Sequence, residues 1–206
     1  MTVFYSADLH FGHPNILVYA DRPWYKPEDL SKPFDRDVNG KPHWVSREIA
    51  MERAERMNTR LAAEINMRCK PTDVLIHVGD FCCYGNDRGI AGVKTKSREW
   101  EDALNPKVIH VLGNHDTNNH VKSAGIRATI VKVAHWTCWV QHVPPWDANA
   151  IKAPEVCDAY VCGHVHNRWQ LEKFEGKPVV NVGVDANNYR PVKHTELINL
   201  IKRAQE

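Results

Sequence analysis

Five times along this chain a short apolar run ends on residues that can bind a metal ion. Val3-Phe4-Tyr5-Ser6-Ala7 stops at Asp8-Leu9-His10, and Val74-Leu75-Ile76-His77-Val78 stops at Gly79-Asp80. Val108 to Leu112 leads into Gly113-Asn114-His115-Asp116, Trp139-Val140-Gln141 into His142, and Ala159 to Cys162 into Gly163-His164-Val165-His166. Runs of this length and composition read as buried strands. In open α/β sheets, ligands bind beyond the carboxyl ends of the strands, so one site can collect all five.

The segments between these runs complete an α/β pattern. Ser46 to Arg68 reads as a helix, with Ile49, Met57, Leu61 and Ile65 on an apolar stripe and Pro71 just beyond its end. It is the expected crossover between the first two strands. Thr195 is positioned to cap a last helix, with Glu196 in its first turn and Lys202 and Arg203 in its last. Residues 21–43 carry Pro23, Pro27, Pro33 and Pro42 and read as a loop or flap insertion. With 206 residues, 43% of them apolar, and no internal repeat or linker, the chain is expected to form a single domain.

Charge and cysteine usage exclude several classes. The formal net charge is only +2 and no basic block stands out, so sequence-independent nucleic-acid binding has no electrostatic footprint here. Nucleic acid enters only as a possible substrate. The opening residues show no basic region followed by an apolar stretch, and no run approaches the ~20 apolar residues of a membrane span. A soluble, cytoplasmic protein is expected. The six cysteines include no C-x-x-C pair, and several lie inside apolar runs, so they read as reduced and mostly buried. Histidine, at 12 residues, is the unusual count and directs attention to metal ligation.

Residues two apart on an extended segment share a face, so Asp8 and His10 are expected to point the same way, as are His164 and His166. Gly79 lets the backbone turn sharply before Asp80, and Gly113 does the same before Asn114. Any one of these pieces is commonly a coincidence. Five of them, each at the end of an apolar run, are not.

The order Asp8-x-His10, Gly79-Asp80, Gly113-Asn114-His115-Asp116, His142 and Gly163-His164-x-His166 resembles the calcineurin-like metallophosphoesterases, from the first strand to at least His166. Ser6 to Asn15 and Asn181-Val-Gly-Val-Asp185 resemble the small bacterial and phage-encoded members. The resemblance implies a four-layer α-β-β-α sandwich, with two mixed β-sheets face to face and helices outside. It also implies two divalent metal ions, manganese by default, with Fe, Zn, Ni or Co chemically compatible. By the same resemblance Asp8, His10 and His166 hold the first metal, Asn114, His142 and His164 the second, and Asp80 bridges them. Such a pair shares a hydroxide and clamps phosphoryl oxygens during in-line displacement.

His115, beside the ligand position Asn114, is assigned as general acid, or as a donor to the developing charge on the leaving-group oxygen. Asp116 then has two readings, orienting the His115 imidazole or capping a helix that begins near Thr117. His13 and Asn15, following Gly12, and Arg168 are candidate substrate contacts. His77, inside a strand, reads as core or as support behind the ligands. His43, His110, His120, His135 and His194 have no motif around them and read as structural or solvated. The Trp136 to Trp146 stretch reads as core packing under a loop, with nucleobase stacking as the alternative.

After Gly79-Asp80 the chain reads Phe81-Cys82-Cys83-Tyr84-Gly85, without the Asp-Arg of the protein serine/threonine phosphatases, and Asp116 stands where they have Glu. Without that arginine a monoester dianion loses a charge-assisted donor pair. The expected activity is therefore a phosphodiesterase acting on a small, nucleotide-like phosphoester. The alternatives are a phosphomonoesterase of the same superfamily and a non-catalytic protein-binding scaffold of the same fold.

Overall fold

In the computed structural model of the chain, residues 1–25, 34–39, 42–83, 97–116, 121 and 126–206 are described. The strands are β1 (Val3–Ser6), β2 (Phe34–Arg36), β3 (Pro42–Trp44), β4 (Val74–Val78), β5 (Lys107–Val111), β6 (Ala128–Val133), β7 (Trp136–Gln141), β8 (Ala159–Cys162), β9 (Leu171–Phe174), β10 (Lys177–Asn181) and β11 (Val192–Lys193). The α-helices are α1 (Pro14–Tyr19), α2 (Arg47–Arg68), α3 (Ser97–Ala103) and α4 (His194–Gln205).

Two mixed sheets follow. The first has the order β11-β1-β4-β5, with β1, β4 and β5 parallel and β11 antiparallel at the edge. The second has the order β6-β7-β8-β10-β9, parallel at its centre and antiparallel at both edges. Parallel neighbours need a long crossover, and α2 supplies it between β1 and β4. Its start is set by Ser46, whose side chain accepts the Ile49 N–H at 3.2 Å. Its apolar stripe, with Met57, Leu61 and Ile65, is buried in one core with Phe4, Leu75 and Phe81. Each such side chain contributes roughly 1.5–3 kcal/mol by leaving water.

A second core joins the two sheets. Tyr5, Ala7, Val78 and Val111 from the first meet Val133, Cys138, Val140, Ala159, Val161 and Val180 from the second, and Leu197, Leu200 and Ile201 of α4 belong to the same cluster. The outer side of the second sheet carries a smaller group, Tyr160, Cys162 and Val179, with Trp139, Trp169 and Phe174 against it. This is the mixed α/β sandwich that the resemblance implied. All six cysteines are free, and only Cys83 is more than marginally exposed.

Two local expectations change. α4 begins at His194, not after a Thr195 cap, because β11 runs straight into it and Glu196 reaches back to accept the Lys193 N–H at 2.8 Å. The described part of residues 21–43 includes a short antiparallel pair, β2 and β3, that the proline pattern did not announce. Its centre lies outside the described residues, as do Thr117 and His120. Among the described residues no helix is long and apolar enough to cross a membrane.

Candidate metal centre

Beyond the strand ends, the chain segments remain zipped together. Asp8 N–H donates to Gly79 O, His10 N–H to Asp80 O and Phe11 N–H to Phe81 O, so β1 and β4 continue side by side as loops. The conformation there is not the extended one expected from the sequence. Asp8, His10, Asp80, His164 and His166 all have positive φ, between 51° and 71°. Left-handed backbone is costly for residues with a Cβ, and Asp and His are among the types that tolerate it. Each Asp8-x-His10 and His164-x-His166 pair thus reaches a common centre through two left-handed residues, not through a shared strand face.

Two sets of side chains result. The ligand atoms of Asp8, His10 and His166 lie within 4.8 Å of one another, and so do those of Asp80, His142 and His164. Asp80 sits between the sets, with its Oδ2 3.5 Å from His10 Nε2 and 3.2 Å from His142 Nε2. Both nitrogens are buried without a hydrogen-bond partner. Orphaned nitrogens of this kind are costly unless something else engages them, and a cation held among these donors would do so. Imidazole and carboxylate together suit borderline divalent ions.

The backbone holds the donors closely. Asp8 accepts the His164 N–H on both oxygens at 3.0 Å. Gly79 has φ +89°, and a Cβ there would stand 2.3 Å from the Nδ1 of His142. Gly163 is equally required, because its Cβ would stand 2.6 Å from Asp8 Oδ2. His142 Nδ1 lies 2.8 Å from Val78 O, a pairing that makes Nδ1 the donor and leaves Nε2 to face Asp80.

Burial and charge set the protonation states. Burial pushes the Asp8 carboxyl up to about 6, with the charges of His142 and His166 opposing it. Burial also acts to raise Asp80, but the close approach of the His142 imidazole, with the rings of His10 and His115 around it, holds it far below the usual carboxylate range. His142 shows the converse: burial disfavours its cation, yet Asp80 and Asp8 raise it to about 9. His10 is held well below its ordinary value, chiefly by burial, and stays neutral.

The remaining candidates divide. Asn114 is exposed and lines a cavity beside His142. The side chain of His115 is 45% exposed with its Nε2 4.0 Å from Asp80 Oδ2, while its backbone N–H donates to Asp80 Oδ1 at 2.9 Å. Its ring centroid is 5.3 Å from that of His10. His13 stands beside the same group, 5.6 Å from the His10 ring. Arg168 is exposed on the turn that follows His166, with its N–H on Val165 O. Asn15 is engaged elsewhere, since its Oδ1 accepts Trp44 Nε1–H at 2.8 Å and ties α1 to β3.

Asp116 is a correction to the first of its two readings. Its carboxylate accepts the backbone N–H groups of Asp80, Phe81 and Gly113 at 2.8–2.9 Å, and not the His115 imidazole. It clamps the two glycine turns that present Asp80 and Asn114.

Sequence reasoning passed over three residues that the structure brings to the site. Asp185 Oδ2 lies 2.8 Å from His166 Nδ1, and fully buried Arg22 holds that carboxylate with Nε at 2.7 Å and Nη2 at 2.9 Å. Arg22 Nη2 also donates to the Asp8 carbonyl at 2.6 Å and Nη1 to the Leu9 carbonyl at 3.1 Å. Cys83 lies 3.7 Å from His10 Nδ1 and groups with His10 and His13. Asp185 closes the Asn181-Val-Gly-Val-Asp185 stretch that resembles the small family members, which is the available signal; Arg22 offers none.

The sequence profile of the calcineurin-like phosphoesterase superfamily domain matches residues 55–197. The chain belongs to that superfamily. The matched span contains Asp80, Asn114, His115, His142, His164 and His166, while Asp8 and His10 precede it and arrive through β1. An uncharacterized protein of Methanocaldococcus jannaschii, MJ1445, is 21% identical over 209 residues, covering 98% of this chain and 93% of the relative. Among solved structures, the protein of unknown function AQ665 from Aquifex aeolicus matches with a TM-score of 0.60 at 20% identity, over 97% of this chain and 99% of its own. Yfce, a phosphoesterase from E. coli, gives a TM-score of 0.41 at 15% identity, over 89% and 78% of the two chains.

Proposed function

We propose that the chain is a hydrolase of phosphodiesters that works with two divalent ions, one on Asp8, His10 and His166, the other on Asn114, His142 and His164, with Asp80 shared. The observation that carries this reading is the placement of Asp80 Oδ2 between two buried, unpartnered imidazole nitrogens, at 3.5 Å and 3.2 Å. When bound, such ions supply Lewis acidity toward the phosphoryl oxygens and an acidified water. The protein's own groups do the rest. Asp80 stays ionised as the shared acceptor. His115, exposed at the edge of the ligand set, donates a proton to the departing oxygen. Asp116 fixes the two turns, and Asp185 fixes the His166 ring so that Nε2 faces the centre.

The preference for diesters rests on Phe81-Cys82-Cys83 following Asp80, so that among the described residues no guanidinium follows Asp80 there to pair with a dianion. The test compares the manganese-loaded protein on bis(p-nitrophenyl) phosphate and on p-nitrophenyl phosphate. A higher kcat/KM on the diester is expected. A large preference for the monoester overturns the diester assignment, and no hydrolysis of either by metal-loaded protein overturns the enzymatic one.

A further inference from the structure

A cavity of about 280 Å³ opens beside Asn114 and His142, walled by Leu112 and Ile151 and reached by Arg127 and Gln141. It flanks one edge of the ligand set: Asp8, His10, Asp80 and His166 do not line it. A group bound there belongs to a part of the substrate next to the scissile phosphorus, not to the scissile phosphoryl itself. The volume lies just below the roughly 300–1,000 Å³ of small-molecule sites, which suits a fragment rather than a macromolecular face.

The chemistry of this cavity is one-sided. Gln141 is 2% exposed, and its Oε1 accepts the Ile151 N–H at 2.9 Å. That bond fixes which end of the amide is which, because only the oxygen can accept from a backbone donor. The nitrogen left over, Nε2, is buried without a partner. A buried amide donor without an acceptor is costly, and such groups in native structures call for an explanation. Arg127, at the same cavity, is exposed and makes no ion pair or side-chain hydrogen bond among the described residues. No carboxylate lines the cavity among the described residues, and the other polar liners are the amides of Asn114 and Asn149 and the His142 imidazole. A permanent cation and an orphaned N–H₂ together select an acceptor-rich anion, and the planar guanidinium fork matches phosphate oxygens.

We infer that this cavity is a subsite for a second phosphate of the substrate, gripped by Arg127 and Gln141, so that the preferred substrate is a nucleotide-like diester bearing an additional phosphate. The assignment rests on the phosphodiesterase reading for its biological meaning. Its physical content can be tested apart from turnover.

Titration calorimetry of the manganese-loaded full chain with a nucleoside bisphosphate, and with both matching monophosphates, reads the subsite directly. The bisphosphate should bind tighter than either monophosphate by about tenfold or more, the range of a charged hydrogen bond. Arg127→Ala should bring that ratio toward one, and Arg127→Lys should keep part of it. Because Arg127 is exposed and unpaired, these variants should melt with the wild type. A wild-type ratio near one, or a ratio unmoved by Arg127→Ala, overturns the subsite. A bisphosphate preference in a protein that hydrolyses no diester leaves the subsite standing and removes the catalytic reading; diester hydrolysis without the preference does the reverse.

Discussion

Asp185 joins two residues from opposite ends of the chain: its carboxylate accepts the His166 Nδ1–H and is itself held by the guanidinium of Arg22, across 163 positions of sequence. Burial alone would raise the Asp185 carboxyl, but the Arg22 charge and the His166 and Arg22 hydrogen bonds keep it below its ordinary range. The pair locks one tautomer of His166, with Nε2 turned to Asp8 and His10. Asp185→Asn should therefore weaken metal binding by about 10–100-fold. Competition against a chelator of known affinity measures this, and an unchanged affinity would remove Asp185 from the site.

The ligands were legible because the sequence writes them as glycine or strand end followed by ligand. Asp80 after Gly79, Asn114 after Gly113 and His164 after Gly163 all lie where apolar runs stop. The brace behind them was not legible. Arg22 sits in a proline-flanked stretch that reads as loop, and its partners are two backbone carbonyls and a carboxylate fixed only by tertiary contact. The left-handed backbone at Asp8 and His10 was equally hidden, since the extended reading is the default for a strand exit and only packing against Gly79 and Asp80 overrides it. Strands β6 and β9 went unread because their exposed edges break the apolar runs.

Metal loading should expel protons. In the metal-free protein His142 is raised to about 9, so at neutral pH its ring carries a proton that ligation must remove. Affinity is then expected to fall by about tenfold per pH unit for each proton released as pH drops below that value. Calorimetry at neutral pH in buffers of different ionisation enthalpy counts the proton; zero release would show that His142 does not ligate. The same shift has a stability consequence without metal. A histidine raised above its unfolded value of 6.5 stabilises fully below that pH and loses the contribution as pH rises through about 9.

His77 acts in the opposite sense. Both its ring nitrogens are buried without partners, between the rings of Phe81 and His110. Burial, then the charges of His110 and His142, hold it well below its ordinary 6.5. The unfolded chain therefore takes up the proton more readily, and stability is lost as pH falls below 6.5. His77→Leu should stabilise the metal-free protein by about 1–3 kcal/mol near neutral pH, and by more in acid. Melting curves across acidic pH check this, and a variant with the wild-type pH slope would contradict it.

His115→Ala should leave metal content intact and slow hydrolysis by about 10²–10⁴ on an ester with a poor leaving group, with a smaller effect on an activated aryl ester. A leaving-group series measures the difference in slope. Equal losses across the series would assign His115 to binding instead of proton transfer.

The central claim is that the ligand set around Asp80 holds two ions that together make the protein a phosphodiesterase. Its most direct test is hydrolysis of bis(p-nitrophenyl) phosphate by chelator-stripped protein as manganese is added back. No turnover is expected without metal, and a rise that saturates only after the second equivalent is bound, with Asp80→Asn abolishing both. Turnover that persists in the stripped protein, or its absence with both equivalents bound, would contradict it.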